Sequence, residues 1–220
     1  MDQHRTEVAF PDILAALDLP RVPQQARSRQ KRDAILTAAA ELFEERGYDA
    51  TTADDIADAA SVSIGTFYSY FRNKRQVFLT LYAASIEDIL ELGITEIDFA
   101  TNPRQAIRET VMRALQRDKL FYSLRQAWSE LLPRDPEIAN YNYQINRLIY
   151  QQMLVAGRRV KAQGLTWPEL DLEATCWIIV LLLDQALHNM PGPKETSRAE
   201  LERHQEALIN LIYHALFRTA

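Results

Sequence analysis

Apolar residues recur every three or four positions along most of the chain, and that spacing predicts helices. From about Arg27 to Arg46 the series runs through Ile35, Ala39, Leu42 and Phe43, with Gly47 as a C-terminal stop. Thr52 and Asp55 form a capping-box pattern that opens a short helix ending near Ala60. Ser63 can cap a third helix reaching Phe71, and Asn73 a longer one from Lys74 to about Leu92. Later elements lengthen. Asn102-Pro103 opens a helix to about Arg117, and another runs from about Lys119 to Leu132 before Pro133. A long helix follows from Pro136 to about Gln163, then a very apolar one from about Leu170 to Met190, then a last one from Ser197 to Phe217. Residues 1–26, with Pro11, Pro20 and Pro23, read as a loose arm in which "DILAALDL" could make two amphipathic turns. No stretch alternates with period two long enough for a strand. The pattern predicts an all-α fold of about nine helices, with a domain boundary inside or just after the helix that starts at Lys74.

Composition narrows the function classes. The chain has 220 residues, 47% of them apolar and 25% charged, as expected of an ordinary globular protein with a real core. The single Cys176 excludes an intramolecular disulfide and suits a reducing cytoplasm; set between Thr175 and Trp177, it reads as a small buried hydrophobe. No N-terminal stretch has the form of a signal peptide, and the run "CWIIVLLL" is too short to cross a bilayer. A cytoplasmic protein with no membrane contact is expected. The four histidines, at 4, 188, 204 and 214, form no nucleophilic or metal-binding pattern, and no phosphate loop or dinucleotide fingerprint is present. Asp184 and His188 share a helix face but lack a third ligand, so a buried hydrogen-bonded pair or a ligand anchor is expected there, not a metal. No catalytic residue, cofactor or metal is assigned, and the chain is not read as an enzyme.

Charge changes the picture more. The whole chain is acidic, with 25 Lys+Arg against 30 Asp+Glu. Yet residues 21–32 carry five basic groups (Arg21, Arg27, Arg29, Lys31, Arg32) and no acid. Residues 61–75 carry Arg72, Lys74 and Arg75, again with no acid, while the 33–60 stretch between them has eight acids and one Arg. Positive charge sorted in this way suits a polyanion, because neutralised phosphates release counterions.

Two short helices joined by three or four residues, the second bearing small polar groups, describe a helix-turn-helix, although short helices with aromatic cores also occur in ordinary α-bundles. On the second of them Ile64, Phe67 and Phe71 fall within one arc and can face the core. Gly65, Thr66, Ser69 and Tyr70 point the other way, small enough to enter a major groove and polar enough to reach base edges. Tyr68 and Lys74 flank that face and suit phosphates, as do Arg27, Arg29 and Lys31 near the start of the first long helix.

The stretch from Arg27 to Tyr82 resembles the DNA-binding domain of the tetracycline-repressor (TetR) family of transcriptional regulators. The resemblance rests on Phe43, Gly47, Thr51-Thr52, Ile56-Ala57, Val62-Ser63, Gly65-Thr66, Phe67-Tyr68, Tyr70-Phe71 and Lys74. It implies that residues matching Thr52, Ser63, Gly65, Thr66, Tyr68, Tyr70 and Lys74 contact DNA. Two positions depart from the family pattern: Ser61 stands where glycine is usual, and Tyr70 where histidine is common. The resemblance also implies a C-terminal helical domain that dimerises and binds a small molecule. The organisation expected is therefore an arm (1–26), a DNA-binding domain (27–82) and an effector-binding and dimerisation domain (83–220).

The second half supports those parts unequally. The helix "LEATCWIIVLLLDQALHN" is apolar nearly all round, and the last helix has a stripe of Leu201, Leu208, Leu211, Ile212, Ala215 and Leu216. Two such helices from each subunit could form a four-helix interface, or both could fill one monomer's core. Phe121, Arg125, Trp128, Tyr150, Met153, Trp177, Leu181 and Asp184 are the candidates for a largely apolar, aromatic-lined effector site. The expected partners are double-stranded DNA with a palindromic operator, a small apolar or amphipathic effector, and a second copy of the chain. The expected function is a repressor released by its effector. The alternative is a DNA-binding dimer without an effector, controlled by a protein partner or by abundance.

Overall fold

In a computed structural model of the protein the described residues are 10–17, 19–90, 97–115, 119–189 and 196–218. They form ten helices, and the only extended pairing among them is an isolated bridge between Thr166 and Phe217. In order these are α1 (Phe10–Ala16), α2 (Ala26–Arg46), α3 (Ala53–Ala59), α4 (Ile64–Tyr70), α5 (Lys74–Leu90), α6 (Pro103–Leu115), α7 (Lys119–Leu131), α8 (Pro136–Ala162), α9 (Leu172–Asn189) and α10 (Arg198–Leu216). The all-α expectation holds, and nine helices fall within a few residues of the expected places. The tenth is α1. It lies in the 1–26 arm where the "DILAALDL" spacing allowed two amphipathic turns, and Ile13 and Leu17 are buried.

Capping explains the sharp boundaries. The Thr52 hydroxyl accepts from the Asp55 N–H at 3.1 Å, and the Asp55 carboxylate accepts from the Thr52 N–H at 2.9 Å, completing the expected box. Ser63 Oγ accepts from the Thr66 N–H at 3.1 Å, and Asn73 Oδ1 from the Gln76 N–H at 2.9 Å. Asn102 Oδ1 accepts from the Gln105 N–H at 3.1 Å, and Ser197 Oγ from the Glu200 N–H at 3.2 Å. Each cap satisfies an N–H that the first turn leaves without a helical partner.

The chain divides into two compact units: Met1–Glu87 with Asp118–Ile145, and Asp88–Arg117 with Asn146–Ala220. The first unit therefore holds α7 and the start of α8 together with the helices of the 27–82 segment. Its core is aromatic. The Phe78 ring lies 6.2 Å from Phe43, 6.0 Å from Tyr48, 6.2 Å from Tyr82 and 6.4 Å from Trp128, and the Tyr82 and Trp128 rings are 4.2 Å apart. Residues far apart in sequence thus meet around one side chain, tying α2 and α5 to α7.

The second unit buries Ile107 and Val111 of α6, Val160 of α8, Ile179 of α9, and Leu208, Ile209 and Ile212 of α10. A second cluster joins Leu154, Leu172 and Cys176. Gly157 lets α8 approach α9 there, since a Cβ would stand 3.0 Å from Leu172 Cδ1. Burial pushes the Cys176 thiol up to about 11, so it stays protonated and packs as the small hydrophobe its neighbours suggested. Arg108 and Glu206 pair across α6 and α10, with Nη2 donating to Oε2 at 2.7 Å. No helix among the described residues is long and apolar enough to cross a membrane.

Candidate nucleic-acid interface

The turn between α3 and α4 is closed by two backbone hydrogen bonds, from the Val62 N–H to the Ala57 carbonyl at 2.9 Å and from the Ser61 N–H to the Asp58 carbonyl at 3.0 Å. This is a Schellman ending, and it places Ser61 in the left-handed region with φ 54°. Glycine reaches that region without a Cβ penalty, whereas serine adopts it at a steric cost that the two bonds offset. The turn does tolerate a side chain at this position. α3 and α4 are thereby held as a rigid pair.

Phe67 and Phe71 anchor α4 in the core, both essentially inaccessible. Ile64, expected beside them, is 37% exposed. A seven-residue helix buries its middle before its ends, and Ile64 sits in the first turn. The outward face carries Gly65, Ser69 and Tyr68, the last 55% exposed, with Thr66 and Tyr70 half-buried at its edges. The Thr66 and Ser63 hydroxyls lie 2.9 Å apart, and the Ser69 hydroxyl donates to the Thr66 carbonyl at 2.6 Å. Thr52 is exposed at the start of α3 with its hydroxyl donating to Asp55 at 2.6 Å.

Gly65 is the informative residue on this face. Its φ is not positive, and a Cβ built there would meet nothing nearer than Ser63 Oγ at 3.9 Å. Neither backbone nor packing within the chain asks for glycine, although glycine weakens a helix relative to alanine. The absence of a side chain leaves room for something outside the chain.

The basic groups separate once folded. Arg27, Arg29 and Lys31 are exposed on the first turns of α2, with no ion pair among the described residues. Arg32 turns inward, its guanidinium 5.9 Å from the Phe71 ring centroid and 3.6 Å from Asp33. Arg75, counted along the chain as part of a basic run, donates to Asp135 at 2.7 and 3.2 Å and to Glu137 at 2.6 Å. Its guanidinium in turn holds the Asp135 carboxyl below the usual carboxylate range. Those acids lie some sixty residues away in sequence, so counting charge along the chain could not find them.

Lys74 is engaged in the same way. Its ammonium donates to the Tyr48 and Thr51 carbonyls at 2.6 and 2.7 Å, with the Asp49 carbonyl at 3.4 Å, and lies 4.3 Å from the Tyr48 ring centroid. Desolvation lowers its pKa from the ordinary lysine value.

The candidate effector residues are split between the two units. Trp128 is buried in the first unit against Tyr82, and Arg125 is half-buried on the same helix. The side chain of Phe121 lies outside the described residues. In the second unit Tyr150 and Trp177 meet edge to face at 5.6 Å, with Met153 half-buried one turn along from Tyr150. Asp184 is buried, and His188 Nδ1 lies 2.7 Å from its backbone carbonyl and 3.5 Å from its carboxylate. Leu181, expected to line the effector site, is exposed, as is Ile178 nearby on α9. Among the described residues no group of three or more His, Cys, Asp or Glu could hold a metal ion.

Residues 35–81 match the family model of bacterial regulatory proteins of the tetR family. Over 185 residues the chain is 30% identical to the HTH-type transcriptional regulator YhgD of Bacillus subtilis (strain 168), covering 80% of this chain and 94% of that one. Among solved structures the chain resembles SmeT of Stenotrophomonas maltophilia in complex with triclosan, with a TM-score of 0.64, 20% identity and coverage of 86% and 93%. It also resembles NalD of Pseudomonas aeruginosa, the secondary repressor of the MexAB-OprM multidrug efflux pump, with a TM-score of 0.63, 22% identity and coverage of 88% and 100%. The likeness to YhgD runs through nearly the whole of both chains, well beyond the helix-turn-helix that residues 35–81 match, and on that ground this chain belongs to the tetR family of DNA-binding transcriptional regulators.

Proposed function

We propose that the protein is a homodimeric repressor that reads a palindromic operator with α4 and is released from it by a small apolar or amphipathic effector. Residues 27–82 read DNA, and residues 83–220 supply dimerisation and effector contacts. Gly65, Thr66, Ser69 and Tyr70 face base edges, Tyr68 lies against a phosphate, and Thr52 and Ser63 border the groove. Arg27, Arg29 and Lys31 supply phosphate contacts from α2. The observation that carries this reading is Gly65, a glycine that the chain's own backbone and packing do not require.

Gly65→Ala tests it through two effects of opposite sign. Alanine should raise unfolding stability by about 0.5–1 kcal/mol, because it restores helix propensity in open space. It should also weaken binding to a duplex selected by the wild-type protein from a random pool, because a methyl group now stands between helix and groove. Urea melts and fluorescence anisotropy read the two effects. A stabilised variant with unchanged DNA affinity would remove α4 from the groove.

For the effector, the supporting features are the Tyr150–Trp177 ring pair with Met153 beside it, and the buried Asp184 as a polar anchor. The fold is also one in which SmeT was solved with triclosan bound. A ligand lowers DNA affinity only by binding differently to the two arrangements of the protein, with a coupling of about 1–3 kcal/mol. Titrating a panel of lipophilic compounds should reveal one that releases the duplex and changes Trp emission, a change that Trp177→Phe removes and Trp167→Phe leaves. A panel without any releasing compound would favour control without an effector.

A further inference from the structure

The loop between α2 and α3, residues 47–51, is gripped from two directions. From α5, the Lys74 ammonium donates to the Tyr48 and Thr51 carbonyls and approaches that of Asp49. An ammonium has three protons, and these three oxygens account for them. From the α7–α8 corner, Glu130 Oε2 accepts from the Asp49 N–H at 2.8 Å, and Arg134 Nη2 donates to Asp49 Oδ1. Gly47 makes the grip possible. It holds φ 80°, and a Cβ there would run into the Glu130 carboxylate and stand 2.6 Å from Gln126 Nε2. Thr52, the next residue after the loop, caps α3, and α3 passes through the closed Ser61 turn into α4. The position of the loop therefore sets the position of the reading helix.

Resting on the DNA-binding role proposed above, we infer that Lys74 positions the DNA-reading helices instead of holding a phosphate. Glu130 and Arg134 are its counterpart, so the α7–α8 corner, outside the helix-turn-helix segment, belongs to the reading apparatus. The physical reason is preorganisation. A loop already held in its bound arrangement loses little entropy on docking, whereas a released loop must be ordered by the DNA itself. The three meet at the loop: Lys74 bonds its carbonyls, Glu130 the Asp49 N–H and Arg134 the Asp49 carboxylate.

The test uses Lys74→Met, which keeps the aliphatic stem and removes the donors, and Arg134→Gln, which loosens the other side. Against the duplex selected by wild type, both variants are expected to bind about tenfold more weakly. The slope of affinity against salt should stay at the wild-type value, and binding to a non-specific duplex should not change. A slope shallower by about one for Lys74→Met would mean a lost phosphate contact and overturn the proposal. Unchanged specific affinity in both variants would overturn it as well. Amide hydrogen exchange in loop 47–51 reads the positioning without DNA and should rise in both variants. Unchanged exchange overturns the proposal even if wild type selects no duplex, and that last result would count against the DNA-binding role instead. Circular dichroism establishes that each variant is folded; should Lys74→Met fail to fold, Arg134→Gln alone decides.

Discussion

Arginine at both Ile178 and Leu211 is expected to turn a dimer into a monomer and to weaken binding to a palindromic duplex by about 10²–10⁴-fold. Ile178 is 61% exposed on α9 and Leu211 56% exposed on α10, while Ile179, Leu208 and Ile212 on the same helices are buried. Each helix thus has one apolar side used within its own unit and another left uncovered, together with Leu181. Burying an Ile or Leu side chain is worth about 1.5–3 kcal/mol, and two-fold symmetry counts each side chain twice. Four guanidinium groups brought together in the same contact would lose hydration without carboxylates to pair them. On the proposed reading the monomer should still bind a half-site through its own α4, but the second half-site would no longer be held at high effective concentration. Sedimentation measures the assembly, and titrations on a palindrome and on a half-site measure the two affinities. The expected pattern is a near-normal half-site affinity beside a collapsed palindrome affinity. A double variant that still sediments as a dimer would place the interface elsewhere and return α9 and α10 to the role of monomer core.

Phe78→Ala carries the largest expected effect on stability, a loss of about 3–5 kcal/mol. Phe78 is fully buried and touches Phe43 and Tyr48 before the helix-turn-helix, Tyr82 on its own helix, and Trp128 on α7. Four aromatic neighbours cannot collapse together into the space of one ring, because α2, α5 and α7 hold them from different sides. The cavity therefore stays largely open, and its lining loses dispersion contacts in addition to the transfer free energy of the ring. A loss of this size is a large share of the 5–15 kcal/mol that separates folded from unfolded states in most domains. Urea denaturation followed by circular dichroism measures it. Trp128 emission should also shift, since that ring lies against the vacated position. A loss below about 1.5 kcal/mol would mean that the four rings close over the gap, and Phe78 would no longer be the junction of the first unit.

Local order was legible in the residues themselves. The caps at Thr52, Ser63, Asn73, Asn102 and Ser197 involve partners two to four positions away, so their pattern can be read along the chain, and all five close as hydrogen bonds. The likeness of the 27–82 segment to its family has the same origin, because the turn, the caps and the small outward residues of α4 are all short-range features. Where the local reading failed, an end effect or a distant partner was responsible. Ile64 has core spacing but sits in the first turn of a short helix. α1 is not such a case: the turns that the "DILAALDL" spacing allowed form there, with Ile13 and Leu17 buried.

By itself the sequence determined the helices, their boundaries to within a few residues and the helix-turn-helix, because each depends on spacing and on neighbours within a turn or two. Only the tertiary structure decided which charges are free. Arg75 counts toward a basic run until folding brings Asp135 and Glu137 to it, and the Lys74 ammonium lies on carbonyls of loop 47–51. It also decided that Trp128 belongs to the first unit and Trp177 to the second. A hydrogen bond or a ring contact across sixty or eighty positions leaves no trace in local spacing, since its geometry exists only once the helices have packed.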